Sequence, residues 1–226
     1  KTQQFTHYRN KKSDSNSLSH DIVLSIIEDM HGNLWIGTRG GGLNHFNVKT
    51  KEFTHYRHKA NNSNSLSHNE VRTIIEDSKG NLWIGTRGGG LNHFNPKTKQ
   101  FKHYRHQINN SSSLSHDEVW SLLEDNLGNI WVGTYGGGLN YFNTKLGEFS
   151  HYFYQVDDPN SLNHDDVRSI MEDSQSNLWL GKHNGLNHFN TKTKQSTIYR
   201  HKANDPDSLS NNNVYSIIEN NQGNLW

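Results

Sequence analysis

The sequence predicts an all-β fold, a β-propeller of about five four-stranded antiparallel blades, and three observations carry that reading. Trp35, Trp83, Trp131, Trp179 and Trp226 fall at spacings of 48, 48, 48 and 47 residues, a period typical of stacked supersecondary units. The stretch GNLWIGTRGGGLNHFN at 32–47 recurs letter for letter at 80–95, so one unit is reused with little divergence. Each unit holds four short patches rich in aromatic and β-branched residues, and none has the ten or more residues of 3.6-residue periodicity that a helix pair would need.

The full unit read from Ser19 to Leu66 gives the elements in order. Val23 to Asp29 (VLSIIED) alternates and suits a largely buried first strand, A. MHGN follows, where Gly32 or its neighbour can take the positive φ of a tight hairpin and Asp29 can accept backbone N–H groups across the turn. Strand B is LWIGT. Gly40, Gly41 and Gly42 then allow a sharp reversal into strand C, LNHFN at Leu43 to Asn47. After the lysine-rich turn VKTKE comes strand D, FTHYR at Phe53 to Arg57, and the polar loop HKANNSNSLSH returns to the next unit. The whole chain, 1–226, reads as a single propeller domain or fragment with units near 1–18 (partial), 19–66, 67–114, 115–162, 163–209 and 210–226 (partial). The tryptophans Trp35, Trp83, Trp131, Trp179 and Trp226 on strand B are expected between neighbouring blades, where a buried indole removes about 150–250 Å² from water.

Composition narrows the function classes. Hydrophobic residues make up only 30%, but aromatics reach 11% and recur in register, which requires a core rather than a disordered chain. With 23 basic and 22 acidic residues, no charge excess points to nucleic acid or to an anionic membrane. Cysteine is absent, which removes disulfides, thiolate nucleophiles and thiolate metal sites. No apolar run approaches the length of a spanning helix.

The pattern SLSxxxVxxIxEDxxGNLWIGTxGGGLNxFNxxTxxFxHY resembles the two-component regulator propeller repeat, found in the extracytoplasmic sensing regions of bacterial hybrid histidine kinases. The resemblance covers the whole chain. It implies a sensor placed in the periplasm or otherwise outside the cytoplasm, in proteins with seven blades per ring followed by an immunoglobulin-like domain, a membrane helix and kinase modules. In this chain FTHYR at 5–9 reads as a leading strand D, and VYSIIEN with NLW as a trailing strand A and part of B. A blade shared between the two ends lacks strand C, so the expectation is a fragment of a larger ring, or a homo-oligomer in which another chain supplies the missing strand, ahead of a lone ring of five blades with one defective.

In a propeller the D–A and B–C loops share one face at the mouth of the channel, the default ligand site. Two columns there differ between copies whose neighbours stay fixed. The residue after the strand A valine is Leu24, Arg72, Trp120, Arg168 and Tyr215; the one before the glycine run is Arg39, Arg87 and Tyr135, with His183 in a shortened fourth copy. Arginine, tryptophan and tyrosine suit a polar, partly planar ligand, since rings stack on sugars and guanidinium forks hold carboxylate or sulfate. An oligosaccharide, neutral or acidic, is the expected partner; no cofactor and no metal are expected.

His20, His68, His116 and His164, with Asn211 in the fifth copy, read as loop caps, because equivalent atoms of neighbouring blades lie too far apart to share a metal. The pairs Glu28-Asp29, Glu76-Asp77, Glu124-Asp125 and Glu172-Asp173 repeat in identical context, whereas acid–base catalysis needs two carboxyls in unlike environments. The glycine runs lead into no Gly-Lys-Ser or Gly-Lys-Thr, and no serine sits on a nucleophile elbow. The expectation is a non-catalytic, ligand-sensing module. The alternative is a structural or self-assembling repeat, natural or designed; a hydrolase or lyase would need an irregular blade with unmatched acids.

Overall fold

The computed structural model describes residues 4–220 and 222–226. Among them sixteen strands and no helix are present, arranged as four antiparallel four-stranded sheets in simple meander order. The first sheet is β1 (Val23–Glu28), β2 (Leu34–Thr38), β3 (Leu43–Asn47) and β4 (Glu52–Tyr56). The second is β5 (Val71–Glu76), β6 (Leu82–Thr86), β7 (Leu91–Asn95) and β8 (Gln100–Tyr104). The third is β9 (Val119–Glu124), β10 (Ile130–Thr134), β11 (Leu139–Asn143) and β12 (Glu148–Tyr152); the fourth is β13 (Ser169–Glu172), β14 (Leu178–Lys182), β15 (Gly185–Phe189) and β16 (Ser196–Tyr199). Each of the four full-length repeats gives one four-stranded sheet, and the two partial repeats give none among the described residues.

Each A–B hairpin closes on its aspartate. Asp29 Oδ1 accepts the backbone N–H of His31 and of Asn33, both at 2.9 Å, and Gly32 takes a φ of 77°. Asp77, Asp125 and Asp173 repeat the arrangement, and Asn220 substitutes for the carboxylate in the fifth copy. Burial alone would raise the Asp29 carboxyl, but the N–H groups of Asn33 and His31 and the His45 ring hold it below its ordinary value. Gly37 is required for another reason: a Cβ there would stand 2.4 Å from Ser25 Oγ and 2.7 Å from a Val71 methyl on the next sheet.

The chain forms two compact units, Lys1–Arg87 with Asn92–His103, and Gly88–Leu91 with Tyr104–Trp226. In the first, Trp35 is wedged among Leu66, Val71, Ile74, Leu82 and Phe94 of the following repeat, with its ring edge-on to Phe94 at 5.9 Å. In the second, Trp131 meets Leu162, Val167, Leu178, Leu180 and Phe189 in the same way, again 5.9 Å from the phenylalanine. Trp83 is buried, Trp179 is half-buried and stacks on His188 at 4.3 Å, and both indoles keep the strand B position.

The ends depart from expectation. Phe5–Arg9 forms no strand, because no neighbouring strand supplies a ladder to it, although Tyr8 packs 4.9 Å from Phe46. Residues 1–3 of the leading partial unit lie outside the described residues. The trailing copy is reduced to an isolated bridge between Glu219 and Leu225, and Trp226, expected between blades, is 76% exposed because no sheet covers its ring. Strand β1 is likewise less buried than its counterparts: Ile26 is 57% exposed where Ile74 is enclosed.

Candidate ligand site

The two variable columns are positioned by the strand A entry and the B–C loop. Arg39 donates its N–H to the carbonyl of Ile22, Arg87 to that of Glu70 and Tyr135 to that of Glu118, at 3.0 to 3.1 Å, so the two columns sit side by side in each repeat. The histidine caps hold the same corner: the Nδ1 atoms of His20, His68, His116 and His164 accept the N–H two residues on, at 3.0 to 3.1 Å. Among the described residues no cluster of three or more His, Asp or Glu has metal-binding geometry.

In the first unit Arg72 and Arg87 share an acid. Glu70, buried, receives Arg72 at 2.9 Å on one carboxylate oxygen and Arg87 at 3.6 Å on the other. Leu24 and Arg39 have Ile22 where the next copy has Glu70, so that position offers Arg39 no carboxylate.

In the second unit the columns assemble one continuous cluster. Tyr135 stacks on Trp120 at 4.8 Å, and the Trp120 Nε1–H donates to Glu118 at 3.0 Å. The Arg168 guanidinium lies 4.7 Å from the Trp120 ring and 4.7 Å from the Tyr215 ring, so three successive repeats meet around one cation. Arg168 Nη2 is in hydrogen-bond contact with His183 Nε2, and His183 Nδ1 lies 2.8 Å from Asn213 Oδ1. Since arginine only donates, His183 Nε2 is the acceptor in its contact with Arg168. Unlike Arg72 and Arg87, Arg168 has no ion pair among the described residues.

Two features escaped the sequence reading. The residue before the strand A valine, Ile22, Glu70, Glu118, Asp166 and Asn213, is a third variable column, in which Glu70, Glu118 and Asn213 supply polar partners for the other two, while Asp166 accepts the Gly136 N–H. The signal was present: HNE, HDE, HDD and NNN precede the valine in the later copies. The second feature is Lys182. It stands where Thr38, Thr86 and Thr134 end strand B; it is fully buried, and its Nζ donates to the His164 carbonyl at 2.8 Å. Burial lowers its ammonium to about 7, with Asp165 and Asp166 opposing the shift.

The two-component regulator propeller model matches residues 17–40, 65–88, 113–136, 161–181 and 208–226. The extracellular domain of a hybrid two-component system from B. thetaiotaomicron superposes with a TM-score of 0.76 at 23% identity, over 98% of this chain and 34% of that one. The extracellular domain of a one-component system from the same organism gives 0.75 at 23% identity, over 96% and 27%. Virginiamycin B lyase from Staphylococcus aureus gives 0.67 at 15% identity, over 97% and 66%. The chain thus spans about a quarter to a third of the B. thetaiotaomicron domains, and these likenesses establish a shared fold. No curated protein sequence matches significantly.

Proposed function

Because the chain belongs to the two-component regulator propeller family, we propose that it is a sensing module acting outside the cytoplasm, whose ligand is an acidic saccharide met at Arg168. The carrying observation is that Arg168 is held by Trp120 and Tyr215 without a carboxylate partner, whereas Arg72 and Arg87 share Glu70. A guanidinium fixed by rings and left without an acid is preorganised for a planar anion, because the terminal N–H groups not used by His183 keep the fork that a carboxylate or sulfate accepts. Trp120 is engaged by both Tyr135 and Arg168, whereas Tyr215 meets Arg168 and is 66% exposed, which makes it the ring with a face open to sugar stacking. A neutral sugar therefore has less to hold than an acidic one.

The role is binding without catalysis. The hairpin aspartates are occupied by backbone N–H groups in every copy, and the likeness to a lyase is one of fold. The test is a thermal-shift panel of oligogalacturonates against neutral gluco- and xylo-oligosaccharides. Acidic members should raise the melting temperature and neutral ones should not; equal shifts from both, or none from either, would contradict the reading. Identity between 32–47 and 80–95 favours a second reading, in which the repeat is purely architectural, and a panel with no response would favour it.

A further inference from the structure

We propose that Lys194 is a reactive amine that captures an aldehyde as an imine, in a cleft at the hairpin end of the third and fourth sheets. The C–D turn of the fourth repeat carries this lysine at a φ of 64°, with its backbone N–H donated to the Asn190 carbonyl at 2.8 Å. From there Nζ lies 5.6 Å from the Trp131 ring, 6.0 Å from Tyr141 and 5.5 Å from Tyr152, all on the third sheet. Such separations are at the outer limit of a cation–π contact, about 6 Å, so the rings attract the ammonium weakly while taking water from it. Burial prevails and holds Lys194 below the ordinary lysine value.

Among the described residues Lys194 Nζ has no ion pair and no hydrogen bond, whereas its counterpart Lys99 donates to the Tyr56 hydroxyl at 3.0 Å. Asp125 and Glu172 line the same cleft of about 390 Å³ without pairing with it, and Asp125 is occupied by the N–H groups of Leu127 and Asn129. Trp131, Tyr141 and the exposed Leu127 give the cleft an apolar wall, which suits an aldehyde with an aromatic or apolar body. The Lys194 side chain stays open to solvent, unlike Lys182, which is fully buried on the His164 carbonyl. An amine that is reachable yet poorly solvated is nucleophilic near neutral pH. Its lone pair adds to the carbonyl carbon, a proton moves from nitrogen to the carbonyl oxygen, and that hydroxyl leaves with the second amine proton as water, so that C=N replaces C=O. The cleft lies at the other end of the strands from Arg168, and capture there does not depend on anion binding.

The absence of cysteine makes the test direct, since no thiol competes for the aldehyde. The probe is benzaldehyde with cyanoborohydride at neutral pH, which reduces the imine to a stable N-benzyl-lysine, followed by peptide mapping at low extent of reaction. Lys194 should be modified several-fold faster than Lys192, an exposed lysine of the same turn. Leu127→Glu places a carboxylate on the cleft wall and should abolish that preference, while Leu127→Gln, matched in size, should retain it. Leu127 is 78% exposed, so both variants should melt with the parent chain. Equal rates at Lys194 and Lys192, or a preference that survives Leu127→Glu, would overturn the proposal.

Discussion

Arg168 holds its guanidinium carbon 4.7 Å from the ring of Trp120, joining the fourth repeat to the third through a cation–π contact. The contact fixes the plane of the fork as well as the charge. Arg168→Lys keeps the charge but loses both the plane and the paired N–H groups. Affinity for an acidic oligosaccharide should fall about tenfold or more, equivalent to about 1.4 kcal/mol, in a fluorescence or calorimetric titration. An unchanged affinity would show that the fork is not the recognition element.

Glu70 is the counterpart that silences the arginines of the second repeat. Glu70→Gln removes the buried carboxylate that Arg72 and Arg87 share. Urea unfolding should show a loss of about 1–3 kcal/mol, larger than for an exposed ion pair, because a buried site loses an acceptor as well as a charge.

The strand B tryptophans should split into two groups. Trp35→Ala and Trp131→Ala each empty the space between two sheets and should cost about 3–5 kcal/mol in urea unfolding. Trp226→Ala should cost under about 0.5 kcal/mol, since its ring is uncovered.

Lys182 makes stability depend on pH with a definite sign. Its folded value of about 7 lies below the ordinary 10.5, so between those values the unfolded chain binds the proton that the folded chain has released. This contribution makes stability rise with pH across that window, and below it the full penalty of the buried ammonium applies. Lys182→Met should therefore be more stable than the parent at about pH 6.5, with the advantage shrinking toward about pH 9.5 in paired urea titrations. A constant difference at all pH values would show that Lys182 stays charged in the folded protein.

What the sequence revealed follows from locality and repetition. Asp29 and Gly32 were legible as hairpin chemistry because the turn is made by neighbours in the chain. The position of Trp35 was legible because the period places each indole against the next copy. Phe5–Arg9 and the strand expected at 214–220 were not, since a strand exists only through a partner that local pattern does not specify. Arg72 and Arg87 were legible as variable positions, but their ion pairs with Glu70 depend on a third column whose partners the pattern does not specify. Lys182 was visible as an irregularity of the shortened loop, but its burial depends on how that loop repacks on His164.

The central claim, that the variable columns of three repeats converge on Arg168 to receive an acidic ligand, is tested most directly by calorimetric titration of an oligogalacturonate into the chain and into its Arg168→Ala variant, with melting temperatures recorded for both. The predicted result is saturable heat in the parent, none in the variant, and nearly equal melting temperatures. Equal heats in the two proteins, or a variant that loses binding only because it unfolds, would contradict it.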